Sequence, residues 1–246
     1  MIVLMKPLSP RQISIIKAIV EEYTGTGEAV GSDTLDKKFN LGVSPATIRN
    51  EMVRLEDLGY LKQPHTSAGR VPTPIALKLY VSELMREQEL SVTEEVSVKE
   101  RMWDQRAKLE KLLQETTKVL SEKTGTIGFI TTSDGQVYSA GYANLLNLPE
   151  FFDIDVTRQV LSTIESYALL EGIFARSTGT QPFHIVLGDE FGNEYLYPCA
   201  MAYTDFGTGA LRGHLGVIGP ARLNYPYVMP MLRHMSGLLN EISTSW

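Results

Sequence analysis

The segment formed by residues 43–73 constrains the fold of this chain more than any other stretch. In one-letter code it is VSPATIRNEMVRLEDLGYLKQPHTSAGRVPT. Ser44 and Pro45 are typical of a helix start, because a serine side chain accepts bonds from free N–H groups and proline suits the first helical position. Gly59 predicts the end of that helix. Two short strands, separated by a polar tip that contains glycine and proline, are expected to follow.

The predicted helix has one apolar stripe and one polar strip. Apolar residues recur at the spacing of a helix and predict a single buried face: Ile48, Met52 and Leu55. Thr47, Asn50 and Arg54 lie on a different strip, with Arg49 on its far flank. A solvated polar face on an ordinary amphipathic helix is the alternative interpretation, so the flanking elements decide between the two.

Those flanking elements are the other parts of a winged helix-turn-helix. Ser9 and Gln12 form a capping-box pattern with proline at the first helical position, which predicts a helix before the segment. Ser32 is expected to cap a second helix, and residues 40–43 form the turn before the third. Thr73 and Pro74 predict a fourth helix after the two strands. This order predicts a protein that binds duplex DNA with the third helix and the strand pair, the wing.

The chemistry of the polar strip fits base recognition. If the start of the third helix enters a major groove, Ala46, Thr47, Arg49 and Asn50 come first within reach of base edges. Arginine bonds guanine in a bidentate manner and asparagine bonds adenine, each pair giving roughly 1–3 kcal/mol of discrimination. The residues predicted to contact DNA on the helix and the wing are Ser44, Ala46, Thr47, Arg49, Asn50, Arg54, Lys62, His65, Thr66 and Arg70.

The net charge of −6 appears unfavourable for a DNA-binding protein until it is divided along the chain. Residues 1–124 carry 18 Lys and Arg and 18 Asp and Glu, whereas residues 125–246 carry 5 and 11. The whole acidic excess therefore lies in the second half. The first half is neutral, so DNA affinity has to depend on local placement of its cations. We expect a moderate salt dependence.

Three regions follow from the pattern of residues. Residues 1–90 form the predicted winged-helix domain, and residues 91–124, rich in Glu, Lys, Arg and Leu, predict a long or broken helical linker. An ordinary solvated helix and a dimer contact are alternative roles for this linker. Residues 125–246 alternate strand-like and helix-like stretches, including a hairpin turn at Ser133-Asp134-Gly135 and a helix over 153–174. HIVL, YLYPCAMAY and LRGHLGVI are predicted strands, and a final helix begins near Pro226. This predicts an antiparallel α+β domain.

Three segments resemble one protein family. SPATIRNEM, LEDLGYL and QPHTSAGRVPT are similar to the DNA-binding domain of HrcA-type heat-inducible transcription repressors. GHLGVIGPARLNY resembles that family's C-terminal signature, and AGYANLLNLPEF its central segment. The resemblance implies a repressor of chaperone operons that binds an inverted-repeat operator as a homodimer. It also implies a GAF-like C-terminal domain and help from the chaperonin.

The chain departs from that family in its middle. Family members carry a longer region there, including an inserted segment used for dimerisation, whereas here the central match follows residue 124 almost at once. This shortening leaves the dimer interface and any temperature-sensing role open. The predicted DNA-reading residues are unaffected.

The remaining composition gives no support for catalysis, a metal or another cofactor. The four histidines are scattered without metal-ligand spacing, and no nucleophile elbow or phosphate-binding loop is present. The one cysteine, Cys199, lies in a strand-like run and predicts a buried inert thiol. With no stretch of transmembrane length, a soluble cytoplasmic protein without enzymatic activity is expected. The alternatives are a ligand-sensing winged-helix regulator of other genes and a protein- or RNA-interaction module.

Overall fold

The computed structural model describes residues 7–176, 182–208 and 211–243. The chain divides into two compact units, Met1–Arg86 and Glu87–Trp246, which are described separately. Within the described ranges, no helix combines the length and apolar character needed to cross a lipid bilayer.

The first unit contains helices on either side of a short hairpin. The helices α1, α2, α3 and α4 span Pro10–Thr26, Ser32–Lys38, Pro45–Asp57 and Pro74–Leu79. Between α3 and α4, the strands β1 (Leu61–Lys62) and β2 (Val71–Pro72) pair in antiparallel fashion. One turn of π-helix, Tyr80–Leu84, continues α4. The elements have the order that the sequence predicts.

The local signals at the start of each helix have different outcomes. At Ser9 both bonds of the capping box form, because its Oγ accepts from the Gln12 N–H at 3.3 Å and Gln12 Oε1 accepts from the Ser9 N–H at 2.9 Å. The predicted cap at Ser32 is wrong, since Gly31 occupies the N-cap and Ser32 is the first helical residue. The predicted buried stripe of α3 is confirmed: Ile48, Met52 and Leu55 are at most 4% exposed.

The second unit is built on a five-stranded sheet. Its strands β3, β4, β5, β6 and β7 span Ile127–Thr132, Val137–Ala140, Phe183–Leu187, Cys199–Thr208 and Leu211–Pro220. They are arranged in the order β4-β3-β7-β6-β5, and every neighbouring pair is antiparallel. The helices α5, α6, α7, α8 and α9 span Val92–Asp104, Leu109–Thr124, Ile154–Glu165, Tyr167–Phe174 and Tyr225–Ser243.

Helices cover both faces of this sheet. One face carries Phe129, Met201 and Tyr203 and packs against apolar residues of α7 and α8. The opposite face packs against α6 and α9, and α5 packs on both of these helices. At Gly128 an added Cβ would lie 2.7 Å from the Thr117 carbonyl oxygen, so only glycine permits this approach of α6 to the sheet. The predicted mixture of helices and antiparallel strands is confirmed.

Three predicted elements differ in their bounds. The long or broken helix expected over 91–124 is broken, into α5 and α6, and both parts belong to the second unit, whereas a linker between the two halves was expected. The helix expected over 153–174 is interrupted at Ser166, whose side chain caps α8. The strand expected to begin at Tyr195 begins at Cys199 instead, because Glu194–Leu196 form a 3-10 turn. The final helix begins at Tyr225, as predicted.

Candidate nucleic-acid interface

The start of α3 is fixed by two of the predicted contact residues. Ser44 is the N-cap, and its Oγ accepts from the Thr47 N–H at 3.3 Å. The hydroxyl oxygens of Ser44 and Thr47 lie 3.0 Å apart, so they bond to each other as well. Both side chains therefore hold the end of the helix. Backbone N–H groups at this end point outward along the axis, the arrangement that favours a phosphate.

Three other predicted residues form an exposed edge on α3. Ala46, Arg49 and Asn50 are exposed, whereas Ile48 between them is fully buried. Among the described residues, the side chains of Arg49 and Asn50 make no recorded hydrogen bond or ion pair. Their donors and acceptors are therefore available to an external partner. We call Ala46, Arg49 and Asn50 the reading edge.

Sequence reasoning missed Val53, which continues this edge one turn further. Its side chain belongs to the large apolar residues that remain exposed, with 44% of its surface accessible. Positions 46, 49, 50 and 53 share one helix face by spacing. An exposed valine beside Asn50 is suited to contact a thymine methyl group in a major groove. In the sequence, Val53 is an apolar residue on the polar side of the predicted helix, and this position could have indicated a contact surface.

Arg54 is exposed but not free. Its Nη1 lies 2.9 Å from Glu51 Oε1, and Glu51 is itself buried in the helix packing. Gln12 of α1 donates to the other oxygen of the same carboxylate at 3.2 Å. The Arg54 guanidinium is therefore held in a fixed orientation beside the reading edge. This geometry suits a contact to the DNA backbone better than an adaptable contact to a base.

Arg70 lies in a different environment from the one the sequence predicts. Only 14% of its side chain is exposed, and its Nε lies 2.8 Å from Glu56 Oε2 at the end of α3. Glu56 Oε1 also accepts from the backbone N–H of Gln63 at 3.2 Å. One carboxylate on α3 thus holds both sides of the hairpin. Sequence reasoning missed this role of Glu56, because nothing in the local pattern relates it to Arg70.

The hairpin is also attached to the segment before α2. Arg70 and Val30 exchange both backbone hydrogen bonds at 2.9 Å, which forms an isolated antiparallel bridge. A Cβ on the adjacent Gly69 would collide with the carbonyl group of Val30. Glycine at this position is required by the close approach of two backbones.

The remaining predicted contact residues lie on the hairpin and are exposed. Lys62 is in β1, and His65 and Thr66 are in the tip between the strands. His65 Nδ1 lies 3.2 Å from the Thr66 carbonyl oxygen, and the following Ser67 has a left-handed backbone with φ of 76°. The tip therefore presents small polar groups and one titratable ring to solvent. The structure thus separates the ten predicted residues into a cap, an exposed edge, a fixed arginine, an exposed group on the hairpin and one partly buried anchor, Arg70.

In the part of the chain that the structure describes, no cluster of three or more His, Cys, Asp and Glu residues is arranged to hold a metal ion.

Known proteins resemble this chain over most of its length. The family model for the HrcA protein C-terminal domain matches residues 76–229. The chain belongs to the HrcA family. A heat-inducible transcription repressor HrcA from Symbiobacterium thermophilum is 27% identical, and the alignment covers 96% of this chain and 99% of that protein. A repressor of the same name from Clostridioides difficile is 50% identical over 117 residues, which cover 48% of this chain and 34% of that protein.

A solved structure gives the same fold at low sequence identity. A crystal structure of a hypothetical protein at 2.2 Å resolution superimposes with a TM-score of 0.78 and 19% identity. The match covers 97% of this chain and 99% of that one. At this identity the likeness concerns the fold alone.

The relatives are longer than this chain. The alignment with the Symbiobacterium repressor has 337 positions, whereas this chain has 246 residues. At least 91 alignment positions, the difference between those two numbers, therefore have no residue here. Because coverage is nearly complete on both sides, the missing residues are internal. The shortened middle inferred from the sequence agrees with this difference.

Proposed function

We propose that this chain is a heat-inducible transcription repressor that binds an inverted-repeat operator in duplex DNA. In this proposal the first unit is a winged-helix domain, with α3 as the recognition helix and the β1–β2 hairpin as the wing. The observation that carries the proposal is the reading edge. A helix with a capped start presents an arginine and an asparagine that its own fold leaves unbonded. These are the side chains with the most specific hydrogen-bond patterns for guanine and adenine.

The exposure and bonding of each predicted contact residue indicate its role in the proposed complex with DNA. Arg49, Asn50 and Val53 read bases, and Ala46 permits close approach of the helix to the groove floor. Ser44 and Thr47 order the helix start, where a phosphate binds the free N–H groups. Arg54, Lys62, His65 and Thr66 contact the DNA backbone. Arg70 holds the wing in place and contacts no phosphate directly, which revises the role first predicted for it.

The second unit is proposed to have the GAF-like fold expected for the family. Its antiparallel five-stranded sheet with helices on both faces supports that assignment. A homodimer is proposed because an inverted repeat has two-fold symmetry, and two recognition helices would lie about one DNA turn apart, roughly 34–36 Å. A contact with the chaperonin stays a prediction from family resemblance.

Gel-shift titrations of an Arg49→Ala variant test whether Arg49 reads the operator sequence. An operator is first selected from a random duplex library with the unmodified chain, and gel-shift titrations then compare that operator with a scrambled duplex. Arg49→Ala is expected to lose most of the preference for the operator, by roughly 5- to 150-fold for 1–3 kcal/mol of discrimination. The thermal unfolding midpoint is expected to stay the same, since the Arg49 side chain is exposed and makes no hydrogen bond or ion pair within the described part of the chain.

Arg158→Ala is the matched control, because it removes the same charge from an exposed helix of the second unit. An operator preference that survives Arg49→Ala, or that Arg158→Ala removes equally, contradicts the proposed reading edge.

A further inference from the structure

The second unit has a cavity at one end of the sheet that the repressor proposal does not use. Its volume is about 370 Å³, which lies in the range of small-molecule sites. It is lined by the end of β3 and the turn that follows, by the ends of β6 and β7, and by Tyr167 at the start of α8. We call it the sheet-end cavity.

Strand register places its polar side chains on one face. Thr131 of β3 lies opposite His214 of β7, and His214 lies opposite Asp205 of β6. Side chains of directly opposed residues project from the same face of a sheet, and so do residues two positions apart on one strand. Arg212 therefore shares this face with His214. Helices α7 and α8 cover the same face further along the strands, where the ring centroids of Phe174 and His214 lie 4.2 Å apart with a tilt of 47°.

The charges in the cavity are unevenly satisfied. Asp205 Oδ1 lies 2.7 Å from His214 Nδ1, and 73% of the Asp205 side chain is exposed, so this carboxylate is bonded on one side and solvated on the other. Burial lowers the pKa of His214, against the opposing effect of Asp205. Arg212 is the permanent positive charge among the residues that line the cavity.

Arg212 is exceptional within the acidic half of the chain. Residues 125–246 contain five arginines and no lysine, against 11 Asp and Glu. The other four arginines bind partners: Arg158 with Asp155, Arg176 with the Phe191 carbonyl, Arg222 with Glu150 and Arg233 with Glu87. Among the described residues, no hydrogen bond or ion pair is recorded for the Arg212 guanidinium. It stays exposed at the cavity although acidic groups are abundant in this unit.

A second unsatisfied donor lies in the same cavity. The Thr131 side chain belongs to a residue that is 1% exposed, and its hydroxyl has no hydrogen-bond partner among the described residues. Leaving a buried hydroxyl unbonded destabilises a fold, because the group has lost its bonds to water. An exposed guanidinium and a buried, unbonded hydroxyl thus lie on one face of one cavity, and both can donate to the same acceptor. Carboxylates provide such acceptors and bond arginine strongly.

We propose that the sheet-end cavity binds a small organic carboxylate, with Arg212 as its ion-pair partner and Thr131 as a hydrogen-bond donor. The Tyr167 ring at the start of α8 covers the apolar part of the molecule. The Asp205 carboxylate lies at the rim, where its repulsion is screened by solvent. The site therefore selects a ligand that has a negative charge and an apolar part small enough for the cavity.

Calorimetric titration of the full chain with benzoate, and with benzamide as its uncharged counterpart, tests this assignment. Benzoate is expected to bind and benzamide to bind at least tenfold more weakly. Arg212→Gln is expected to weaken benzoate binding tenfold or more, since a charged hydrogen-bond partner is lost. Arg158→Gln, which removes an arginine elsewhere in the same unit, is expected to leave the affinity within twofold.

Thr131→Val separates binding from folding. It replaces the unbonded hydroxyl by a methyl group of similar shape, so the unfolding midpoint is expected to stay the same or rise, while benzoate binding falls several-fold. The proposal is overturned if benzoate fails to bind, if benzamide binds equally well, or if Arg212→Gln leaves the affinity unchanged. Because the titration contains no DNA, its outcome is independent of whether the chain is a repressor.

Discussion

Arg49 and Arg70 carry the same charge in the same unit, but their surroundings give them different tasks. Arg49 is exposed and unbonded among the described residues, whereas Arg70 is largely covered and paired with Glu56. Arg70→Met is expected to lower the free energy of unfolding by about 1–2 kcal/mol, because a partly buried ion pair is lost. It is also expected to weaken DNA binding to all sequences without changing its salt dependence.

The salt dependence distinguishes this role from a phosphate contact. Gel shifts at several salt concentrations give the slope of log affinity against log salt, which falls by about one for each lost phosphate contact. Lys62→Gln, on the exposed strand of the hairpin, is the comparison and is expected to show that fall. A fall of about one for Arg70→Met would mean that Arg70 leaves Glu56 and binds DNA.

Cys199 provides a prediction about reactivity. Burial raises the pKa of its thiol to about 12, and the nearby Glu150 carboxylate acts in the same direction. At pH 8 roughly one thiol in ten thousand is then ionised, and the thiolate is the reactive form. The native chain is expected to resist a disulfide reagent at pH 8 for hours and to react stoichiometrically in urea.

The same pKa difference affects stability at high pH. The unfolded thiol ionises near its ordinary value of 9.0, below the folded value. The contribution to stability is therefore complete below pH 9.0 and declines as the pH rises from there toward 12. Stoichiometric labelling of the native chain within minutes at pH 8 would show that the thiol is not buried as described.

At the scale of elements, Glu150 and Arg222 connect two segments that the sequence singled out separately. Glu150 lies in the central family segment and Arg222 lies in the C-terminal signature. Arg222 donates to both carboxylate oxygens of Glu150, at 2.5 and 3.1 Å. Their side chains are only 17% and 14% exposed. The two residues are 72 positions apart in the chain, so their pairing is visible only in the folded structure.

Removing this pair is expected to destabilise the second unit. Glu150→Gln should lower the free energy of unfolding by about 2 kcal/mol, because the Arg222 charge loses its partner in a mostly covered site. A double-mutant cycle with Arg222→Met in urea denaturation gives the coupling energy. The exposed pair of Asp155 and Arg158 is the control and is expected to couple by less than about 1 kcal/mol. Equal coupling in the two pairs would contradict the role of burial.

Elements differ in how far their sequence predicted them. The stripe of α3 and the capping box of α1 were predictable because the signal lies within one turn or one helix. The break at Ser166 and the late start of β6 were not predicted, because a serine cap and a 3-10 turn interrupt stretches whose apolar pattern continues through them. The reading edge was predictable for the same local reason as the α3 stripe. The burial of Arg70 was not, since Glu56 and Val30 reach it through the tertiary fold.

For the whole molecule, the distribution of charge bounds how DNA binding depends on salt. The first unit has 11 Lys and Arg against 9 Asp and Glu, a net charge of +2, whereas residues 87–246 carry 12 and 20. Several cations of the first unit are already paired, including Lys38 with Glu22 and Arg54 with Glu51. Few phosphate contacts are therefore available in each copy. Base-specific contacts and simultaneous binding of two half-sites therefore have to provide the DNA affinity that a strongly basic surface provides in other DNA-binding proteins.

We expect two copies of the chain to bind one operator, one on each half-site, although the region that family members use for dimerisation is shortened here. Light scattering of the complex with the selected operator is expected to show two chains of 27.4 kDa on one duplex. A helical turn has 10–10.5 base pairs, so inserting five base pairs between the half-sites turns one half-site to the opposite face of the DNA. If the two copies form a fixed pair, the affinity is then expected to fall at least tenfold.

An insertion of the same length outside the repeat is the control and is expected to leave the affinity unchanged. Two chains that bind with undiminished affinity after the inner insertion would show that each copy reads its half-site independently. In that case the region absent from this chain would be what couples the two copies in its longer relatives. Loss of affinity on the inner insertion alone would instead mean that the shorter chain retains a dimer contact within its described units or creates one on DNA.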